Sequence, residues 1–259
     1  MRIPIVHVDA FTSQVFRGNP AAVCPLETWL DDATLQSIAA ENNLSETAFF
    51  VGGRGEYEIR WMTPATEVDL CGHATLASAF VLFAEAEKGR DEVVFRSKSG
   101  PLRVRRAGDL LTLDFPARPP QPMAASEDLL EGLGRPPREV WAARDYLAVY
   151  DTEDEVRSLA PDFTRLGRLD RFAVAVTAPG TRVDFVSRFF APAQGIPEDP
   201  VTGSSHCTLV PYWSRRLGKK RLHALQVSPR GGELFCEDGG DRVTISGRAV
   251  RYLQGTIEV

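Results

Sequence analysis

The chain has 259 residues, of which 43% are hydrophobic and 25% are charged, a composition that is typical of a globular protein. Its formal net charge is −5 and its sequence pI is near 5.5, which argue against a nucleic-acid-binding surface. No segment approaches the roughly 20 apolar residues of a membrane span, and the N-terminus lacks the apolar core of a signal peptide. The sequence therefore predicts a cytoplasmic protein with no nucleic-acid partner and no membrane partner.

The first half of the chain alternates short strands with two helices. A capping sequence at residues 31–34 predicts a helix that ends near residue 42, and residues 74–86 are apolar nearly all round, the pattern of a fully buried helix. Alternation within residues 45–51 places Glu46 on one face with Ala48 and Phe50. The predicted strands are 5–11, 21–24, 45–51, 56–62, 93–95, 102–104 and 110–115.

The second half follows a segment, residues 116–122, that holds four prolines and is predicted to be a linker. Helices are predicted over residues 126–133 and 154–159, and a second buried helix follows Gly203, with a kink expected at Pro211. The predicted strands are 146–150, 172–176, 181–190, 224–227, 233–236, 243–246 and 249–257.

An internal repeat relates the two halves. The segment Arg60-Trp61-Met62-Thr63-Pro64-Ala65 recurs, with similar residues, as Arg188-Phe189-Phe190-Ala191-Pro192-Ala193. Each copy then leads through polar residues to a glycine, Gly72 or Gly203, that opens an apolar helix. We interpret the repeat as a duplicated domain, with an N-terminal lobe at 1–115 and a C-terminal lobe at 123–248. Ligand sites concentrate between domains, so a site between the two lobes is expected.

Cysteine and histidine spacing gives no sign of a metal or nucleotide site. No CxxC, HxH, HExxH, GxGxxG or Walker A sequence occurs, so we expect free thiols, no metal and no cofactor. The residues concerned are Cys24, Cys71, Cys207, Cys236, His7, His73, His206 and His223.

The starts of the two buried helices are the first candidate site. Unpaired N–H groups at Gly72 and Gly203 lie at the positive end of a helix and could hold a small carboxylate. The alternative is that Thr75 and Ser204 are ordinary helix caps. Glu46 is a second candidate, because a carboxyl group on an apolar face suits proton transfer, although a lone strand Glu is usually solvated.

A third candidate is the pair His73 and Asp199, which stand at nearly matching places of the repeat. A pseudo-two-fold relation could bring them to one site. The alternatives are a histidine that only begins a helix and an aspartate in a Pro-flanked turn.

These residues carry a resemblance that covers almost the whole chain. The blocks at residues 8–11, 18–23, 43–49, 71–75 and 198–204, including Asn-Leu-Ser-Glu-Thr-Ala-Phe and Glu-Asp-Pro-Val-Thr-Gly-Ser, resemble the phenazine-biosynthesis PhzF-like family. The resemblance implies an α+β, diaminopimelate epimerase-like fold of two pseudo-symmetric lobes. Each lobe is a β-barrel-like sheet around a central buried helix, the active site lies between the lobes, and the last strand, about 249–259, completes the first lobe. Fold analogy also suggests a homodimer.

The resemblance further implies a cofactor-independent isomerase that moves a proton within a small cyclic or unsaturated carboxylic acid, such as a dihydro-hydroxyanthranilate. Glu46 would be the general acid and base, while His73, Asp199 and Ser204 would position the substrate and share the proton relay. Backbone amides at Gly72 and Gly203 would hold the substrate carboxylate. Asn19 and Thr202, which lie in the same motifs, are expected to contact the substrate.

Two alternatives stay open at this stage. The chain could be a non-catalytic carboxylate-binding or protein-interaction member of the same fold. It could also be an epimerase or racemase, since related enzymes use a cysteine at each helix start. Cys71 occupies the first such place, but Pro200 occupies the second, so a two-thiol mechanism is not favoured.

Overall fold

The computed structural model describes all residues from Met1 to Val259. Its strands are β1 (Arg2–Ala10), β2 (Asn19–Leu26), β3 (Glu46–Gly53), β4 (Glu56–Met62), β5 (Glu67–Val68), β6 (Glu92–Ser97), β7 (Gly100–Ala107), β8 (Leu110–Pro116), β9 (Gln121–Pro122), β10 (Glu139–Ala142), β11 (Tyr146–Val149), β12 (Val174–Pro179), β13 (Phe185–Phe190), β14 (Arg221–Gln226), β15 (Gly232–Asp238), β16 (Arg242–Gly247) and β17 (Ala249–Glu258). Its helices are α1 (Asp32–Asn42), α2 (Gly72–Ala84), α3 (Glu127–Leu133), α4 (Glu153–Ser158), α5 (Phe163–Leu166) and α6 (His206–Leu217), with 3₁₀ turns at Pro192–Gln194 and Gly203–Ser205.

Two compact units divide the chain. The first comprises residues 1–114 and 246–259, and the second comprises residues 115–245. Strand β17 lies in the first unit because it pairs antiparallel with the whole of β1, from Arg2 opposite Glu258 to Ala10 opposite Ala249. The segment predicted as a linker is partly strand, since β8 continues to Pro116 and β9 pairs with β10. A short strand such as β9 tolerates proline, which lacks a backbone donor, at an edge position.

The two units share one pattern of strand pairing. In the first, β1–β2, β3–β4 and β6–β7 are antiparallel, while β2–β3 and β4–β6 are parallel. In the second, β10–β11, β12–β13 and β14–β15 are antiparallel, while β11–β12 and β13–β14 are parallel. Each connection between two strands that pair in parallel contains at least one helix, as is usual for a crossover between parallel strands. The duplication inferred from the sequence is therefore present in the topology.

Helix α2 is the centre of the first unit. It contacts strands β1, β2, β3, β7 and β17, and its side chains are buried on nearly every side. Small residues such as Ala74, Ala77 and Ala79 let the strands approach the helix closely. The prediction of a fully buried helix is confirmed, with bounds shifted two residues toward the N-terminus.

Helix α6 has the corresponding place in the second unit and contacts β14 and β15. The ring of Trp213 stacks on Phe185 at 5.6 Å, and its Nε1 donates to Thr177 Oγ1 at 2.9 Å. Pro211 lies inside this helix. The sequence did not predict β10 or α5, which have only four residues each.

Outer helices cover the sheets. Leu35, Ile38 and Ala39 of α1 pack against Phe49 and Met62, as the predicted apolar face requires. In the second unit, Leu129, Val156 and Leu166 of the three short helices join one cluster with strand residues such as Val176 and Phe190. No helix is both long and apolar enough to cross a lipid bilayer.

Candidate active site

Glu46 is the first residue of β3 and lies opposite Ala21 of the parallel strand β2. Only 9% of the residue is exposed. His73 is the second residue of α2 and is 5% exposed, and its Nε2 lies 3.1 Å from Glu46 Oε2. The two atoms are close but not aligned as a hydrogen bond, and neither has another partner. A buried carboxyl oxygen and a buried ring nitrogen are therefore available to a ligand.

The other ring nitrogen of His73 is held from two sides. Asn19 Nδ2, at the start of β2, lies 3.2 Å from Nδ1, and Cys71 Sγ lies 3.5 Å from the same atom. An asparagine amide can present either its oxygen or its NH₂ group. Asn19 can therefore hold the neutral ring or the imidazolium in the same orientation, with Nε2 directed to Glu46.

The charges in this cluster favour a protonated His73. Burial by itself lowers the pKa of the imidazole, but the hydrogen-bond contact with Cys71 and the negative charge of Glu46 raise it well above its ordinary value. Burial raises the pKa of the Cys71 thiol to about 11, and the negative charge of Glu46 adds to that effect. At neutral pH the sulfur thus keeps its proton.

Neither central helix has a side-chain cap at its N-terminus. Cys71 precedes α2 and makes no capping bond, and the residues that precede α6 and its 3₁₀ turn make none either. The helices α1, α3, α4 and α5 are all capped, by Asp31, Ser126, Thr152 and Asp162. The alternative that Thr75 is an ordinary cap is wrong, because its hydroxyl donates to Cys71 O at 2.6 Å. Uncapped N–H groups at a positive helix end suit an anionic ligand.

The second unit gathers Asp199 and Thr202 around a buried glutamine. Thr202 donates its hydroxyl to the Asp199 carboxylate. Gln226 accepts from the Thr202 backbone N–H at 2.8 Å and donates to Asp199 O at 2.7 Å. Gln226 is 1% exposed, and its two hydrogen bonds hold the loop between Asp199 and Thr202 in place.

Ser204 lies half-buried in the 3₁₀ turn that leads into α6, next to the buried Gly203. The guanidinium Nη2 of Arg144 lies 3.4 Å from Ser204 Oγ. His206 is fully buried, and its Nδ1 lies 2.9 Å from Thr202 O, which can only accept, so Nδ1 carries the proton. Burial lowers the pKa of His206 to about 4, and it is neutral at pH 7.

The structure therefore brings the candidate residues together as two clusters, one within each unit. Asn19, Glu46, Gly72 and His73 lie in the first unit, and Asp199, Thr202, Gly203 and Ser204 lie in the second. Sequence reasoning missed the contacts of Gln226 and Arg144, since both are ordinary polar residues outside the motifs.

Glu46, Cys71 and His73 are also close enough to hold a metal ion, because their ligand atoms lie within 4.8 Å of one another. Metal binding would require Cys71 and His73 to lose protons that both hold more tightly than usual.

Comparison with known sequences and structures bears on the family of the chain. A family model described as phenazine biosynthesis-like protein matches residues 8–255. An uncharacterized isomerase of Pseudomonas aeruginosa is 54% identical over 259 residues, and the match covers 100% of both chains. The crystal structure of a phenazine biosynthesis protein of the PhzF family from Enterococcus faecalis is 47% identical, with a TM-score of 0.98 and 100% coverage of both chains.

The fold extends to more distant enzymes. A hydroxyproline epimerase from Agrobacterium vitis is 12% identical, with a TM-score of 0.65 over 99% of this chain and 92% of that chain. The predicted fold class, two pseudo-symmetric lobes of the diaminopimelate epimerase type, is confirmed. Because the family model spans nearly all of the sequence, the chain belongs to the phenazine biosynthesis-like (PhzC–PhzF) family.

Proposed function

We propose that the protein is a cofactor-independent isomerase that moves a proton within a small cyclic or unsaturated carboxylic acid. Glu46 is the general base that removes the proton from one carbon and the general acid that returns it to another. A dihydro-hydroxyanthranilate is the model substrate. The isomerase name of the Pseudomonas aeruginosa relative and the epimerase fold support the reaction type.

The observation that carries the proposal is the buried pair of Glu46 and His73 at the start of α2. Both side chains are almost completely buried, and each has a polar atom without an aligned partner. Buried polar atoms are nearly always paired in proteins that only need to be stable. A pair that is left open in this way is expected where a substrate completes the contacts.

The chemistry needs no group beyond these residues. The Glu46 carboxylate takes a proton from a C–H bond, and the electron pair spreads over the unsaturated system toward the substrate carboxyl group. Glu46 then delivers a proton to a different carbon after its carboxyl group has exchanged with solvent, so composition and oxidation state do not change. The positive charge of His73 stabilises the negative charge that develops in the transition state.

The second cluster has the role that the family resemblance implies, which is to position a substrate. Asp199, Ser204 and Thr202 offer a carboxylate and two hydroxyl groups, and Asn19 offers an amide. The N–H groups at Gly72 and those at Gly203 are each suited to bind a carboxylate, which the missing helix caps support.

Proton NMR in D₂O tests the proposal directly. The purified protein is incubated with a dihydro-hydroxyanthranilate beside Glu46→Gln, which keeps the shape of the side chain and removes its basicity. Substrate consumption with deuterium in the product ring, absent in the variant, is the expected result. Full activity of Glu46→Gln would overturn the mechanism.

The same experiment separates two other functions. A carboxylate-binding protein without activity would bind the acid and leave its C–H bonds unlabelled. A racemase based on Cys71 is suggested by the 3.5 Å contact of its sulfur with His73. In that case Cys71→Ser would lose activity and Glu46→Gln would keep it.

The homodimer and the cytoplasmic location stay predictions, and light scattering of the purified protein tests the first.

A further inference from the structure

The start of α6 carries a concentration of positive charge that the proposed reaction does not use. Arg144 stands at the tip of a three-residue turn between β10 and β11, which Ala143 N closes on Asp145 O at 3.0 Å. From this tip its Nη2 reaches Ser204 Oγ at 3.4 Å. A short hairpin is a stiff support, so the guanidinium is held at a fixed place beside the helix start.

Further contacts fix the plane of the Arg144 guanidinium. Its Nε lies 3.1 Å from Asp145 Oδ1, and its Cζ lies 4.2 Å from the ring centre of Phe172. Phe172 is 41% exposed, which is unusual for a large apolar side chain. Stacking under an arginine explains this exposure. The Nη2 atom that reaches Ser204 also lies 3.4 Å from Asp145 Oδ2, so one edge of the guanidinium is shared between the Asp145 carboxylate and the Ser204 hydroxyl.

Two more arginines surround the same place. The backbone N–H of Arg118 donates to Cys207 O in the first turn of α6, and its Nη1 is buried without a hydrogen-bond partner. Arg171 donates from Nη1 to Ala143 O at 2.6 Å, and its Nε is also buried without a partner. Buried guanidinium nitrogens that lack a partner are costly, and an anion is the group that satisfies them.

The positive charge exceeds the negative charge in this cluster. The charges of Arg144, Arg118 and Arg171 all act on Asp145, which is 2% exposed. Asp170, next to Arg171 in the chain, accepts from the Tyr146 hydroxyl at 2.7 Å. Even with both carboxylates counted, three guanidinium groups leave a net positive charge beside an uncapped helix start.

We propose that the substrate of this site carries a second acidic group, a carboxylate or a phosphate, and that Arg144 binds it beside Ser204. This inference rests on the proposed function and narrows its preferred substrate class from small carboxylic acids to acids with two anionic groups. A dihydro-hydroxyanthranilate, which has one carboxylate, should therefore be converted more slowly than an unsaturated acid with two. A planar guanidinium matches the two oxygens of a carboxylate or phosphate in a way that the Ser204 hydroxyl alone does not.

Binding of three non-reactive acids of similar length tests the inference without turnover. Valerate has one carboxylate, glutarate has two, and 4-phosphonobutyrate has a carboxylate and a phosphonate. Calorimetry on the wild-type protein is expected to show glutarate or 4-phosphonobutyrate binding about tenfold or more tightly than valerate, the effect of one charge-assisted hydrogen bond. Whichever of glutarate and 4-phosphonobutyrate binds more tightly shows whether the second acidic group is a carboxylate or a phosphate. Equal affinity for all three acids would overturn the inference.

Substitutions then assign the preference to the arginine. Arg144→Gln should abolish the preference for the doubly charged acid and leave valerate binding unchanged, while Arg144→Lys should retain part of it. Arg138→Gln is the matched control, because Arg138 is an exposed arginine of the same hairpin that pairs with Asp151. A preference that survives in Arg144→Gln, or an equal loss for all three acids, would contradict the assignment.

Two further arms keep the test decisive. If Arg144→Gln does not fold, Arg118→Gln replaces it, since Nη1 of Arg118 has no hydrogen bond to lose. Glu46→Gln should keep the full preference for the doubly charged acid, because it removes the proton carrier and not the anion site. A charge preference without any Glu46-dependent deuterium exchange would mean that the proposed isomerase is wrong and the anion site is right.

Discussion

The two central helices of this protein begin in the same way but have different neighbours. His73 and His206 both lie in the first turn of such a helix, and both are buried. The carboxylate of Glu46 and the sulfur of Cys71 raise the pKa of His73, whereas His206 meets a backbone carbonyl and the Phe185 ring, and burial lowers its pKa to about 4. Duplication supplied two similar helix starts, and the nearby charges decide which one carries a proton.

The same difference extends to the surrounding residues. The α2 start presents groups that can exchange protons, namely Glu46, His73 and Cys71. The α6 start presents hydrogen-bond donors and positive charge, from Ser204, Arg144 and the loop that Gln226 holds. We infer that proton transfer is concentrated in the first unit and substrate positioning in the second.

The largest expected effect tests this division. Glu46→Gln should lower kcat by about 10²–10⁴-fold, the usual contribution of a general acid and base, with little change in KM. Asp199→Asn should mainly raise KM, because the amide keeps the shape and the contact with Thr202 but not the charge. Steady-state kinetics with a common substrate measures both. A larger loss of kcat in Asp199→Asn than in Glu46→Gln would reverse the assignment of the two clusters.

The pH dependence of stability tests the contrast between the histidines. The pKa of His206 falls from 6.5 in the unfolded chain to about 4 in the folded one, so the unfolded chain binds more protons between these values. The free energy of unfolding should therefore fall by on the order of 3 kcal/mol from this residue as the pH drops from 6.5 to 4. His73 acts in the opposite sense. Its raised pKa means that its contribution is present below pH 6.5 and is lost as the pH rises through the folded value.

Denaturant unfolding at several pH values, with wild type and His206→Asn, measures the first effect. Asparagine can keep a donor near the position of Nδ1, so the hydrogen bond to Thr202 O can survive while the titration disappears. The variant should show a shallower loss of stability in acid than the wild type. If the free energies of unfolding of wild type and His206→Asn fell in parallel as the pH drops, His206 would already carry a proton in the folded chain or would not be desolvated.

Gln226 tests how firmly the second cluster is held. Gln226→Leu removes the hydrogen bonds to the Thr202 N–H and to the Asp199 carbonyl, which should destabilise the protein by about 2 kcal/mol. The loosened loop should raise KM more than it lowers kcat. Gln36→Leu is the control, since Gln36 makes a single bond to Thr63 O in the first unit. A change in stability without any change in KM would show that the loop does not contact the substrate.

Much of this architecture was predictable because it depends on local patterns. The cap at Asp31, the buried face of α1 and the all-round burial of α2 follow from residues within a few positions of one another. The repeat predicted two similar units. Such elements show the clearest sequence periodicity. Their existence can therefore be predicted more reliably than the residues at which they begin and end.

Other features depend on contacts between distant parts of the chain. The predicted strand 181–190 begins only at Phe185, because Gly180 and Asp184 close a turn before it. Strand β10 has three partly buried residues, one buried residue and no clear alternation. The bonds of Gln226 to Asp199 and of Arg144 to Ser204 join residues that are 27 and 60 positions apart. No local pattern marks these two side chains, so they required the structure.

The smallest expected effect is that of metal removal. Cys71, His73 and Glu46 form a group that could coordinate a metal ion, but Cys71 and His73 would first have to release protons that their surroundings hold. Dialysis against a chelator should therefore leave the rate of deuterium exchange unchanged, whereas Glu46→Gln abolishes it. Adding Zn²⁺ at high pH, where the thiol and the imidazolium lose their protons, should inhibit the enzyme by occupying the proton-transfer groups, and Cys71→Ser should weaken that inhibition. Loss of activity after chelation, restored by Zn²⁺ in the wild type but not in Cys71→Ser, would instead make the α2 start a metal centre and would remove its contrast with α6 as a site of proton transfer.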